Sequence, residues 1–215
     1  MPYATLVAGT TITAAWANAN VRDQGIPVFA TAASRDSAVT SPIEGMHAYT
    51  SDTNTLWFYT GTAWLFQSGP PPRFRLTGGG AGQTGVVTAT PTTCTWANGT
   101  EVTDTEAAIA VGTGVFTCPT ALPGRWRFDY FIGYDAAATG IREAWLEHSV
   151  GSRRYANSGT LSFGGGAAES VSSSADIVLA AAETVKVVAY QTSGANRTIN
   201  TSSNAYFQGV YVGPA

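Results

Sequence analysis

Acyl transfer needs a nucleophile, a base and a group that orients the base, and a chain with only two histidines, His47 and His148, has few ways to supply the base. His47 lies in a short aromatic stretch and His148 alternates with Glu147 in a strand-like run. Neither sits beside a nucleophile-elbow motif, so a satisfied or solvated histidine is expected at both. Glycan cleavage needs two facing carboxylates. The acids here are scattered: Glu101, Asp104 and Glu106 share one loop, Glu143 and Glu147 one strand, and Asp176 and Glu183 stand apart. A capsule depolymerase is therefore the least favoured class, and the expectation is that the chain is not an enzyme. Oxygen-rich loops can gather calcium, but the 101–106 spacing matches no calcium loop. Cys94 and Cys118, the only cysteines, lack metal-ligand spacing and are expected to be buried as small apolar residues, although neighbouring strands would let them pair. No metal and no cofactor is expected.

Composition narrows the partners. Charged residues make up 12% of the 215-residue chain, against about 25% in ordinary globular proteins. The net charge of −3 leaves no basic footprint for nucleic acid. No run is long enough to cross a bilayer, so membrane insertion is not expected. The N-terminus shows no basic region ahead of an apolar run, and sequons at Asn98, Asn196 and Asn200 matter only in a secretory pathway. A protein made in a cytoplasm and released later fits these features.

The elements that must position these residues divide into three stretches. Residues 13–24 are alanine-rich and free of glycine and proline, which predicts a short helix with Trp16 and Val21 on a narrow apolar stripe. Residues 46–50, 56–60 and 63–66 read as a small antiparallel meander, dense in Tyr49, Trp57, Tyr59 and Trp64. Three prolines and a glycine cluster mark 68–85 as a Pro/Gly-rich neck. From residue 86 onward, short strands split by turn residues give an all-β pattern: 86–90, 93–97, 107–111, 114–118, 125–134, 142–150, 170–179, 184–191 and 204–212. The most regular is Arg125–Tyr134, where Trp126, Phe128 and Tyr130 alternate with Arg125, Arg127 and Asp129, the period of a strand with one buried face. The arginines of Arg73-Phe74-Arg75 and Arg125-Trp126-Arg127 are expected on exposed faces, with rim contacts between subunits.

The order Gly-x-Phe-Thr-Cys-Pro at 114–119, then Pro-Gly-x-aromatic-x-Phe at 123–128, resembles the globular head domain of the complement q subcomponent and its tumour-necrosis-factor-like relatives. The likeness extends over 93–212, with later landmarks at Val185-x-Val187-x-Ala189 and at Tyr206-Phe207-Gln208-Gly209-Val210-Tyr211. The family's Pro-Gly-Asp turn is replaced here by Ala181-Ala182-Glu183, which weakens the turn expected there. The resemblance implies a ten-strand-type jelly-roll sandwich that forms a homotrimer. On that reading Phe116, Trp126, Phe128, Tyr130, Val187, Phe207 and Tyr211 belong to the jelly-roll core or the trimer interface.

A second resemblance covers 35–64. The spacing of Glu44-Gly45-Met46, Asp52-Thr53-Asn54 and Gly61-x-x-Trp64 is similar to segments in head- and tail-associated fibre proteins of tailed bacteriophages, and Trp16 to Asp23 resembles the helix that opens many of them. It implies a virion structural protein, a head or tail fibre or decoration, exposed on the particle. Residues 1–67, through Trp16, Val21, Arg22, Tyr49, Trp57, Tyr59 and Trp64, would attach to phage capsid or tail proteins, and 86–215 would form the exposed jelly roll. The alternative class is a host-surface glycan-binding module, with Tyr155, Asn157 and Asn196 as candidate sugar contacts.

Overall fold

The computed structural model describes residues 9, 11–17, 25–78, 82–96, 99–137, 139–161, 168–199 and 204–214. The chain divides into two compact units, Met1–Pro70 and Pro71–Ala215.

In the first unit, α1 (Ala14–Ala17) is a single turn. The rest of the expected 13–24 helix, with Val21 and Arg22, lies outside the described residues. β1 (Val28–Phe29), β2 (His47–Thr50), β3 (Thr55–Tyr59) and β4 (Trp64–Ser68) form one sheet in chain order. The expected meander is β2 to β4. β1 runs parallel to β2, a pairing that needs a crossover rather than a tight turn, and α2 (Ala32–Ala38) supplies part of it. This helix lacks an apolar period and is fixed at its start instead. Thr31 Oγ1 accepts from Ser34 N at 3.0 Å, and Ser34 Oγ accepts from Thr31 N at 2.9 Å, so two orphan amides are satisfied reciprocally.

The second unit is a sandwich of two sheets. Its strands are β5 (Arg73–Thr77), β6 (Gln83–Val86), β7 (Thr92–Thr93), β8 (Thr100–Asp104), β9 (Ile109–Ala110), β10 (Val115–Thr117), β11 (Gly124–Tyr134), β12 (Ile141–His148), β13 (Arg153–Leu161), β14 (Glu169–Leu179), β15 (Thr184–Gln191), β16 (Arg197–Ile199) and β17 (Tyr206–Gly213). One sheet has seven strands, running β6-β16-β11-β17-β5-β8, with β14 also paired to β11. The other has six, ordered β13-β12-β15-β10-β9, with β7 on β15. β11 is the keel: β14 pairs with it from Gly124↔Leu179 to Tyr134↔Glu169 and β17 lines its other edge.

The expected neck at 68–85 is corrected. Arg73–Thr77 pairs with β17 from Val210↔Arg73 to Tyr206↔Thr77, with Phe74 and Leu76 buried, and β6 pairs with β16. Proline cannot donate to a ladder, so the run Pro70-Pro71-Pro72 stops just before the strand, and Arg-Phe-Arg-Leu-Thr then alternates as a half-buried strand does. The boundary falls between Pro70 and Pro71, and the strands of the jelly roll begin at Arg73 rather than at residue 86.

An aromatic cluster fills the sandwich. Phe116 lies 4.7 Å from Trp126 and 5.0 Å from Phe74, and Phe74 meets Phe207 edge-on at 5.0 Å. Gly209 leaves room for it, because a Cβ there would lie 2.5 Å from Phe74 Cε1 and 3.0 Å from Phe128 Cδ1. Tyr130 and Tyr134 reach from β11 across to the other sheet. The Tyr130 hydroxyl lies 2.6 Å from Ala144 O, and the Tyr134 hydroxyl donates to Glu143 O at 2.5 Å and accepts from Tyr190 N at 3.2 Å. Burial pushes both phenols upward in pKa, so they stay neutral donors across the working pH range.

Candidate functional site

Of the attachment residues, Trp57 and Trp64 are part of the first unit's own core. Arg35, 3% exposed, lies between their rings with its guanidinium carbon 4.9 Å and 4.7 Å from the two centroids. Trp57 Nε1 donates to Thr50 Oγ1 at 2.9 Å. Tyr49 is half-buried and donates to Asn54 Oδ1 at 2.8 Å, closing the β2–β3 turn. Tyr59 packs 5.2 Å from Trp64. The sequence density of aromatics therefore reflects how a small sheet builds a core. The open apolar surface of this unit is elsewhere: Ile26, Val28 and Ile43 are more than half exposed, beside a groove of about 500 Å³ lined by Pro27, Phe29, Val39, Ile43 and Met46. Trp16 falls in α1.

In the second unit, Phe116, Trp126, Phe128, Tyr130, Val187, Phe207 and Tyr211 are all 5% exposed or less. They lie between the sheets, so none of them is available to a neighbouring subunit. What a neighbour would meet on the seven-stranded sheet is the opposite set of side chains, which the strand registers collect into rows. Phe131 is opposite Tyr206 on β17 and Ser172 on β14, and the two rings stack at 6.2 Å with 17° between planes. Arg75 lies over Tyr206 at 4.7 Å and donates to Gln208 Oε1 at 2.8 Å. Gln208 Nε2 in turn reaches Asp129 Oδ2 at 3.5 Å. Arg127 pairs with Asp176 at 2.9 Å. On β14, Ser170, Ser172 and Ser174 keep this face low, and Val178 and Val212 flank it, 53% and 55% exposed. A basin of about 230 Å³ opens beside Arg73, Arg75, Asp129 and Gln208.

This face can be covered cheaply. A buried charge is costly unless it is paired and hydrogen-bonded, and here Arg127 is paired with Asp176 and Arg75 is hydrogen-bonded to Gln208, while Arg73 and Arg125 stand exposed at the border of the face. Sequence reasoning missed Tyr206, Gln208 and the serine row. The readable signals were Phe131, an aromatic in the polar register of β11, and serine at every second position of a long strand.

The titratable groups serve the turns. His148, expected to be satisfied or solvated, is 6% exposed: in the β12 register Glu147 turns outward to Lys186 at 3.0 Å and His148 inward. Its Nε2 lies 3.0 Å from Glu183 Oε2, which also accepts from Ala180 N at 2.9 Å. That amide, then His148, hold the Glu183 carboxyl below its ordinary range. The turn 180–183 forms without Pro-Gly-Asp, since Glu183 closes it and Ala182 takes a φ of 65°. Asp104 caps its own loop, accepting from Ile109 N at 2.8 Å. Cys94 and Cys118 are free and buried, and burial pushes the Cys118 thiol up to about 11. Among the described residues, no group of three or more His, Cys, Asp or Glu could hold a metal ion, and no helix is long and apolar enough to cross a membrane.

The candidate sugar contacts lie on β13 and on the loop between β15 and β16. Tyr155 is half-buried with its ring 6.3 Å from His148, Asn157 is exposed on β13, and Asn196 is exposed in the loop between β15 and β16.

No family model and no curated protein matches this chain. Solved structures do. Eiger TNF from S. frugiperda is similar at 15% identity over 68% of this chain and 95% of its own, with a TM-score of 0.52. Murine APRIL at pH 8.0 is similar at 12% identity over 66% of this chain and all of its own, with a TM-score of 0.50. The globular domain of the zebrafish complement 1qA protein is similar at 18% identity over 67% of this chain and 99% of its own, with a TM-score of 0.48. The second unit thus has an all-β jelly-roll fold like that of these structures, as expected from the sequence.

Proposed function

We propose that this chain is a homotrimeric surface protein of a tailed-bacteriophage virion, a head or tail fibre or decoration whose jelly roll is exposed and whose first unit attaches it to the particle. The observation that carries the trimer is the outer face of the seven-stranded sheet, where a stacked Phe131–Tyr206 pair and a serine row are bordered by the Arg75–Gln208 hydrogen bond and the Arg127–Asp176 ion pair. Cyclic closure around a threefold axis covers such a face in every copy and leaves none free to build a filament. An obligate assembly of this kind buries more than about 2,000 Å². Support for the virion role is the fibre-like spacing of residues 35–64 and the exposed Ile26, Val28 and Ile43 beside an apolar groove, which suit a capsid or tail protein as the partner.

The trimer is tested by light scattering on the full chain beside the Ser172→Arg variant. Ser172 is exposed within the protomer, so the variant keeps its fold while setting an unpaired cation in the centre of the face. A trimeric parent and a monomeric variant are expected. The virion role is tested by labelling residues 150–160, an exposed turn and strand edge, with antibody and imaging whole particles. Particles that carry no label and no peptide of this chain would overturn it.

A further inference from the structure

The outer face of the other sheet carries a second feature. Trp145 is in the polar register of β12, between Glu143 and Glu147, yet it is only 1% exposed. Arg154 of β13 covers its ring, with the guanidinium carbon 4.0 Å from the centroid. Trp145 Nε1–H has no acceptor among the described residues, although an indole can only donate and buried donors are nearly always paired. Beside this ring opens a pocket of about 400 Å³ lined by Pro91, Glu143, Trp145, Arg154, Tyr190 and Thr192. The registers account for the grouping: Glu143 faces Tyr190 and Trp145 faces Val188 across β12 and β15, while β7 lays Thr92 against Ala189 and brings Pro91 alongside. The volume falls within the range of about 300–1,000 Å³ for small-molecule sites.

We propose that this pocket binds a neutral hexopyranose unit of a surface saccharide. A pyranose offers an apolar C–H face and a ring of hydroxyls that both donate and accept. The pocket offers matching surfaces: Trp145, Tyr190 and Pro91 as apolar walls, Glu143 as an acceptor, Arg154 and, once it moves aside, the buried and unpaired indole N–H as donors, and the Thr192 hydroxyl. Glu143 and Arg154 cancel in charge, and the neighbouring Glu147 is already paired with Lys186. An anion would therefore meet Glu143 and a cation Arg154, and a neutral polyol satisfies both. Arg154 is exposed, so it is the part that yields when a sugar settles on the ring. The site uses none of the residues of the assembly face, and a monomeric chain would leave it intact.

The test is fluorine NMR on full chain labelled with 5-fluorotryptophan, the Trp145 line being assigned with Trp145→Phe. The probes are glucose, galactose, mannose and N-acetylglucosamine, with glucuronic and sialic acids as anionic comparators. The Trp145 line should move saturably with at least one neutral sugar and stay still with the acids. Glu143→Gln, a half-exposed site without an ion pair among the described residues, should weaken that binding about tenfold, as loss of a charge-assisted hydrogen bond does, while leaving the fold and the line itself in place. A Trp145 line unmoved by every neutral sugar up to about 100 mM, moved only by the acids, or moved as readily in Glu143→Gln would overturn the proposal. Should Trp145→Phe fail to fold, the line is assigned by its displacement in Arg154→Ala, which uncovers the ring.

Discussion

Replacing Gly209 by alanine puts one methyl group into the most tightly filled part of the sandwich. The added Cβ would stand 2.5 Å from Phe74 Cε1 and 3.0 Å from Phe128 Cδ1 and Cε1, well inside contact distance. Neither ring is free to retreat, since Phe74 stacks on Phe116 at 5.0 Å and Phe128 meets Phe116 at 5.2 Å. Overpacking of this kind costs about 1–3 kcal/mol. The loss of glycine's freedom in the unfolded chain returns about 0.4–1 kcal/mol. The net expectation is a destabilisation of about 1–2 kcal/mol, read as a lower urea midpoint with an unchanged slope. Phe74→Leu removes the nearer obstacle, so Gly209→Ala should cost less in that background, with a coupling of at least about 0.5 kcal/mol. A Gly209→Ala protein as stable as its parent, or a cost unchanged by Phe74→Leu, would refute the β5–β17–β11 register that brings these residues together.

Ala182→Gly should stabilise the second unit by about 1 kcal/mol, because a non-glycine residue at positive φ pays about 1–2 kcal/mol and glycine's own entropic cost offsets part of it; thermal unfolding reads the shift. The Glu183 carboxyl is held below its ordinary 4.5 by the Ala180 amide and then His148. Its stabilisation is therefore full above about pH 4.5 and lost as pH falls through the folded value, where the unfolded chain binds the proton more readily. Glu183→Gln should lower stability at pH 7 and flatten that acid limb, as urea titrations at several pH values will show. Arg35→Ala removes the cation held between two tryptophans and should destabilise the first unit by about 2–3 kcal/mol. Arg35→Lys should fall between, since lysine cannot stack as a plane; tryptophan fluorescence follows both.

Local patterns made part of this fold readable and long-range register hid the rest. β11 was legible because Trp126, Phe128, Tyr130 and Ile132 hold one face without interruption, and β2 to β4 because turn residues bracket three aromatic runs. β5 was masked by its neighbours: prolines on one side and glycines on the other read as a joint, yet Phe74 and Leu76 alternate between Arg73, Arg75 and Thr77. α2 has no apolar stripe, and its cap and the burial of Arg35 are tertiary facts. β13 carries a bulge opposite Ala144 and Leu146, which breaks the alternation that would have marked it. Both surface features, the Phe131–Tyr206 face and the Trp145 pocket, depend on which distant strands lie side by side. No spacing within one segment encodes that.

The central claim is that three copies share the outer face of the seven-stranded sheet, and the absolute mass of the full chain in solution tests it most directly. Multi-angle light scattering at micromolar concentration should give three times the 22.3 kDa of one chain, falling to a single chain in Ser172→Arg. A parent protein that elutes folded at the mass of one chain would contradict it.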